Sequence, residues 1–297
     1  MPEVIEVKKY SNFLLKNMKN KKLLQINILN GRYKKHGSFP LYDKLVKSLP
    51  LKIVDVKSKG KFMYILFENN LILFVTLGLT GGWVSKKNNN FINYEAQLSN
   101  FTFPLESEYV GQNKNIERYK KNALNHLNVE FILDSEIIIY FYDMLSFGTL
   151  KVVDNEQELT KKLKSLSLDI MDSLTTYLLF KGQIMKKPNK EIGNVLVDQK
   201  IISGIGNYLR SDILWLSKIS PFRLVKDLTD KELKEIFKNT KILVLEQKGF
   251  KKLPSNYGRN FFIYKESTDI YGNPVIKELL YEGSQKRYIY WVKNIQK

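Results

Sequence analysis

The chain opens Met1-Pro2-Glu3-Val4-Ile5-Glu6, and two of these residue types can carry covalent chemistry. Removal of Met1 would leave Pro2 with a secondary α-amine, and an amine that is neutral part of the time at about pH 7 attacks an electrophilic carbon. Glu3, its neighbour, can move a proton to or from the group under attack. The same residues also have a plain structural reading, because Pro followed by Glu makes a good first turn of a helix.

A second stretch bears on chemistry: Asp198-Gln199-Lys200-Ile201-Ile202-Ser203-Gly204-Ile205-Gly206-Asn207. Gly204 and Gly206 lie between apolar-periodic segments, where a residue without Cβ turns the chain tightly or lets a bulky group approach the backbone. The spacing of Leu209, Ile213, Leu214, Leu216 and Ile219 predicts a helix after them, with Arg210, Ser211 and Asp212 facing elsewhere. Asn207 has the N-cap residue type, and the free N–H groups and dipole of a helix start make an anion site. A capped turn with no ligand fits the same residues. A dinucleotide fold does not, since the third glycine is missing and Lys190 to Val197 reads as a helix. Two helices joined by a compact double turn are expected.

These stretches need elements to position them. The 297 residues suffice for two domains, expected at 1–160 and 161–297. An amphipathic helix follows Pro2, with Val4, Val7, Leu14 and Met18 among its apolar positions. Strands are predicted at Leu23 to Leu29, Ile53 to Val56, Phe62 to Phe67, Leu71 to Leu77, Asn128 to Leu133 and Ile137 to Tyr142. They imply an antiparallel β-sandwich flanked by helices. Lys86 to Asn122, rich in Asn and Lys, reads as an inserted excursion. Lys161 to Leu179 reads as a connector with weak helix, and the chain is helical from Lys190. Thr229 and Glu232 form a capping box that opens a helix through about Leu245. Past Gly249, loops lead to a hairpin of Phe261 to Tyr264 with Val275 to Leu280. The expected fold class is α+β.

Lys plus Arg number 48 against 30 Asp plus Glu, a net charge of +18, so a polyanion is an expected partner. An AT-rich genome would also enrich lysine, and the charge alone does not separate the two accounts. The apolar run Leu71 to Trp83 is broken by Gly78, Thr80, Gly81 and Gly82, so no membrane span is expected. No apolar signal core follows Met1, and no secretory leader is expected. Cysteine is absent and histidine is limited to His36 and His126, which argues against disulfides, a bound metal or a metal cofactor.

Taken together these stretches resemble the Fpg/Nei family of DNA glycosylases. That family begins Met-Pro-Glu, carries a lysine on an early hairpin, contains a helix-two-turns-helix element close to Asp-Gln-x-x-x-x-Gly-x-Gly-Asn, and ends in a hairpin finger with an arginine. The lysine matches Lys61 in Ser58-Lys59-Gly60-Lys61-Phe62, and the arginine matches Arg287 in the closing segment Gln285 to Lys297. Two departures are plain. Ile5 replaces the usual proline, and the four cysteines of a zinc finger are gone, with Trp291 and Ile295 near two of the lost positions. In this the chain resembles the zincless-finger, Nei-like branch that includes enzymes of giant DNA viruses, where apolar burial holds the hairpin in place of metal.

The resemblance implies a bifunctional DNA glycosylase and AP lyase acting on oxidised pyrimidines and ring-opened purines. Pro2 would attack the sugar C1′ and form a Schiff base, followed by β/δ-elimination, while Glu3 protonates the sugar ring oxygen or the leaving group. Lys61, Asn207 and Arg287 would bind phosphates, Lys61 serving catalysis as well, and Glu6 would support the first helix. Leu79, Leu145 and Phe147 would fill the void left by the extruded base. Leu145 stands where the family has an arginine that reads the partner base, so weak opposite-base discrimination is expected. A lesion-recognition loop falls within Lys248 to Asn260. Damaged DNA, duplex or single-stranded, is the implied partner, with no cofactor or metal and a monomeric protein inside a cell, nuclear or cytoplasmic, of cellular or viral origin. The alternative is a catalytically inactive binder of damaged DNA or other nucleic acid, which keeps the basic surface without the amine chemistry.

Overall fold

The computed structural model describes residues 2–87, 90–92, 97–98, 123–245, 261–282 and 285–297. The chain forms two compact units, one of Pro2 with Glu6–Lys161 and one of Glu3–Ile5 with Lys162–Lys297. The expected recognition loop, Lys248 to Asn260, lies outside the described residues.

The first unit is built on a sheet. Its strands are β1 (Lys22–Ile28), β2 (Leu51–Lys59), β3 (Phe62–Phe67), β4 (Ile72–Thr76), β5 (Gly81–Lys87), β6 (Asn90–Ile92), β7 (Gln97–Leu98), β8 (Leu127–Leu133), β9 (Ile138–Asp143) and β10 (Thr149–Val153). They run in the order β10-β4-β3-β2-β1-β8-β9-β5-β6-β7. β1 and β2 pair only through Lys22↔Lys52 and Leu23↔Leu51, so the sheet folds there into two halves. Ile53, Met63, Ile65, Leu73 and Val152 from one half share a core with Leu23, Ile26, Trp83, Phe131 and Phe141 from the other. Helix α1 (Val4–Met18) closes that core with Val7, Tyr10, Leu14 and Met18, whose spacing of three or four residues puts them on one face. Short helices α2 (Gly31–His36) and α3 (Tyr42–Lys47) flank the sheet.

The expected strands are present, and β5 and β10 add to them. β5 begins with two glycines, which hide its strand character. A Cβ on Gly82 would strike the hydroxyls of Tyr10 and Tyr142, which hydrogen-bond each other at 2.6 Å. The stretch read as an excursion from Lys86 is ordered strand at its start, through the end of β5, then β6 and the edge strand β7.

The second unit is mainly helical. It receives α4 (Glu156–Ser165) across the boundary, then α5 (Tyr177–Ile184), α6 (Ile192–Val197), α7 (Asn207–Leu216) and α8 (Asp230–Leu245). Short strands β11 (Leu168–Asp169) and β12 (Ile202–Ser203) pair in parallel. Phe180, Ile184, Leu196, Leu209, Ile213, Ile236 and Leu243 form its core. The capping box is made in full: Glu232 accepts the Thr229 N–H at 2.7 Å, and Thr229 Oγ1 accepts the Glu232 N–H at 3.3 Å.

The terminal hairpin differs from expectation. It pairs β13 (Ile276–Glu282) with β14 (Gln285–Trp291), whereas Phe261 to Tyr264 forms turns. That apolar run packs on Trp215 and Tyr208, and its N–H groups are taken by a side chain instead of a neighbouring strand. Among the described residues no helix is long and apolar enough to cross a membrane.

Candidate active site

Helix α7 opens at the two glycines, and the anion at its N-terminus belongs to the chain itself. Gly206 occupies the N-cap position in extended conformation without a side-chain cap. The Glu3 carboxylate does the capping. Its Oε2 accepts the N–H groups of Gly206 at 2.6 Å and Leu209 at 3.4 Å, and its Oε1 accepts that of Tyr208 at 2.9 Å. Glu3 is fully buried, so donors that a helix start leaves without intrahelical partners are met by a negative group. A Cβ on Gly206 would collide with the Glu3 carboxyl group, and one on Gly204, where φ is +114°, with the Val4 side chain. Two expectations are corrected here. Asn207 is the first helical residue and not the N-cap, and the helix start is filled by Glu3 instead of open to an outside anion.

Gln199 braces the double turn. Its Nε2 donates to the carbonyls of Val197 at 2.8 Å and Ile205 at 2.9 Å, while its Oε1 accepts the Gly204 N–H at 2.9 Å. One side chain thus satisfies three backbone groups that no regular element pairs.

The body of α7 holds the rest of the unit. Arg210 is fully buried. Its Nη1 donates to the Gly193 carbonyl at 3.2 Å, and its Nη2 donates to Asn207 Oδ1 and to the Tyr288 carbonyl in β14 at 2.9 Å. Asp212, also buried, accepts the N–H groups of Phe262 at 3.2 Å, Ile263 at 3.1 Å and Tyr264 at 3.3 Å. Burial pushes its carboxyl up to about 7 against the pull of those donors. Trp215 Nε1 donates to Asp269 Oδ2 at 3.2 Å. Asn207 is half-buried, and Arg287 is exposed on β14, opposite Leu280.

The finger is held by apolar packing. Leu280, Ile289 and Trp291 cluster with Phe222 and Ile276. Trp291 meets Phe222 edge to face at 5.2 Å and donates its Nε1–H to Glu278 at 2.9 Å. Ile295 packs on a second cluster of Trp215, Ile263 and Val292.

In the first unit, Gly60 and Lys61 form the two-residue loop between β2 and β3, closed by the pair Lys59↔Phe62, with Gly60 at φ +55°. Lys61 is half-buried, as are Pro2 and Glu6. Leu79, Leu145 and Phe147 lie on two turns that are fastened to each other. Asp143, buried at the end of β9, accepts from Thr80 Oγ1 at 2.5 Å and from the Leu145 N–H at 3.2 Å with one oxygen, and from the Gly148 N–H at 2.5 Å with the other. Gly78 sits so close to Phe147 and Gly148 that a Cβ would strike their backbone. The clamp leaves Leu145 43% and Phe147 57% exposed, with Ser146 between them at φ +57°. Large apolar side chains offered to solvent on a braced loop fit the wedge that void filling needs.

Residues 1–150 match the formamidopyrimidine-DNA glycosylase N-terminal domain family, and residues 158–249 match the formamidopyrimidine-DNA glycosylase H2TH domain family. This chain belongs to the formamidopyrimidine-DNA glycosylase family. A formamidopyrimidine-DNA glycosylase of Mycoplasma pneumoniae is 30% identical over 256 residues, 84% of this chain and 79% of that relative. The fold is that of the Lactococcus lactis formamidopyrimidine-DNA glycosylase, whose structure bound non-covalently to AP-site DNA superposes with a TM-score of 0.72 at 17% identity, covering 99% of both chains. A structure of the same Lactococcus lactis protein with DNA containing an oxidised pyrimidine gives the same TM-score, identity and coverage.

Within this glycosylase-family fold, two residues escaped the sequence reading. Arg210 stands three positions after Asn207, a spacing that puts both on one helix face. Asp143 precedes two N–H groups it accepts, as aspartates do at turns. Both signals are present in the sequence, but neither shows that the side chain is buried.

Proposed function

We propose that this protein is a bifunctional DNA glycosylase and AP lyase that removes oxidised pyrimidines and ring-opened purines. The observation that carries this reading is the Glu3 carboxylate sunk onto the N–H groups of Gly206, Tyr208 and Leu209. The family's double turn grips the start of the chain one peptide bond from Pro2. The Lactococcus lactis relative has been captured on AP-site DNA and on DNA with an oxidised pyrimidine, which supports the choice of substrate.

With Met1 removed, the Pro2 amine attacks C1′ of the damaged nucleotide and the base departs. The C1′–O4′ bond then opens as O4′ takes a proton, and the resulting iminium acidifies the C2′ proton, whose loss breaks the strand by β-elimination. δ-Elimination follows on the other side, and water releases the enzyme. The Glu3 carboxylate takes the proton that the Pro2 nitrogen sheds after attack and passes it to the sugar ring oxygen or the departing base, and the three N–H groups stabilise the carboxylate before and after. Lys61, Asn207 and Arg287 hold phosphates around the extruded nucleotide, with guanidinium suited to a bidentate grip. Leu79, Leu145 and Phe147 fill the gap, and Glu6 supports α1. Leucine at 145 has no donor for the partner base, so discrimination there is weak. Imine chemistry needs neither metal nor redox cofactor.

The domains are 1–160 and 161–297, apart from Glu3–Ile5, which pack with the second unit, and the protein acts as a monomer on damaged duplex or single-stranded DNA. The cysteine-free finger, packed through Leu280, Ile289 and Trp291, supports assignment to the zincless, Nei-like branch. A net charge of +18 makes binding steeply salt-dependent through counterion release.

Sodium borohydride with abasic-site DNA tests the proposal. An imine-forming enzyme is trapped as a covalent complex, whereas a silent DNA binder is not; absence of trapping with binding intact would refute the lyase.

A further inference from the structure

We propose that Arg210 is a positioning residue that fixes the Asn207 amide with its N–H2 group turned outward to a DNA phosphate, acting from the interior without meeting the DNA. The inference rests on the DNA-glycosylase reading above. Guanidinium has donors and no acceptor, so Asn207 Oδ1 is the amide atom that faces Nη2 of Arg210. An asparagine's orientation is otherwise a matter of inference, and a donor-only neighbour settles it. Nδ2 therefore points away from Arg210, and among the described residues no protein group accepts from it.

A phosphate oxygen accepts and never donates, so this is the orientation in which Asn207 attracts the backbone of DNA. The other orientation would set oxygen against oxygen. The need for a side-chain donor follows from Glu3, which already takes the N–H groups of Gly206, Tyr208 and Leu209. Nη2 also donates to the Tyr288 carbonyl at 2.9 Å, one residue from Arg287. A single buried group thus references both the Asn207 amide and the finger backbone that carries Arg287.

The test measures binding of the full chain to a duplex containing a tetrahydrofuran abasic analogue, across a range of salt, for wild type and four variants. Asn207→Ala and Arg210→Met should each bind about tenfold more weakly. Their slopes of log Kd against log salt should match wild type, since neither removes a charge that faces phosphate. The double variant should bind no more weakly than the weaker single, because Arg210 acts through Asn207. Asn207→Asp should be weaker than Asn207→Ala, since a carboxylate accepts from Arg210 and turns its other oxygen to the phosphate.

Additive losses would mean that Arg210 acts independently of Asn207, a slope reduced by about 1 in Arg210→Met would mean that a phosphate-facing charge is lost with it, and wild-type affinity in that variant would remove its role; each overturns the proposal. Asn207→Asp binding as well as wild type would overturn the orientation, and this comparison decides the matter even if Arg210→Met does not fold. Wild-type protein that fails to bind the analogue would refute the underlying glycosylase reading instead.

Discussion

The turns that carry Leu79, Leu145 and Phe147 and the helix that carries Asn207 solve the same problem in different ways. In the first unit one buried carboxylate, Asp143, ties two turns together through Thr80, Leu145 and Gly148, and the functional candidates are apolar side chains, Leu145 and Phe147 exposed and Leu79 half-buried. In the second, α7 distributes the work: Glu3 meets its first turn, Arg210 reaches the finger and Asp212 gathers Phe262 to Tyr264. A wedge needs only a stiff loop beneath it. Groups that must meet phosphates and a sugar at set distances need a rigid element, and a helix with buried polar partners is one.

Glu3→Gln replaces an acceptor oxygen with a donor against backbone N–H groups and removes the proposed proton source. Base excision should fall by about 10²-fold or more, read as single-turnover release of an oxidised base; a loss under about threefold would contradict both roles. Asp143→Ala leaves the Thr80 hydroxyl and the Gly148 N–H unmet, while the Leu145 N–H keeps Thr80 Oγ1 at 3.0 Å, and should cost about 2–3 kcal/mol in urea unfolding. Phe147→Ala, on the same loop but exposed, should change stability by no more than about 0.5 kcal/mol while slowing base release about tenfold. If Phe147→Ala proved the more destabilising, the division between clamp and wedge would be wrong.

The smallest effect concerns Asp212. Its carboxyl is raised to about 7 in the folded protein against about 3.9 in an unfolded chain, chiefly by burial, with the nearby Glu266 charge adding to it. The folded state therefore binds more protons than the unfolded state between those values, and this group's contribution to stability is lost as pH rises through that window. Asp212→Asn should flatten the fall in melting temperature between about pH 4 and 7; an unchanged profile would show that Asp212 does not titrate there.

Much of this was legible because it is local. The double turn from Asp198 to Asn207, the capping box of Thr229 and Glu232, and the hairpin bearing Lys61 announce themselves in a few adjacent residues. The finger's arginine and missing cysteines were legible too, together with its reliance on Trp291 and Ile295. What stayed hidden depends on contacts distant in sequence. The glycines signalled a close approach, but nothing nearby says that the approaching group is Glu3, about two hundred residues earlier. Phe261 to Tyr264 has strand composition, yet Asp212 and Trp215 claim its N–H groups and side chains, and the strands pair further along. Arg210 reads as a surface residue until the finger covers it.

In the proposed mechanism the chain's own N-terminal proline forms the imine. Peptide mapping by mass spectrometry of the borohydride-trapped complex with abasic DNA tests it most directly. The reduced sugar is expected on the nitrogen of Pro2, with Met1 absent; attachment at Lys61 or any other lysine, with Pro2 unmodified, would rule out the proline imine.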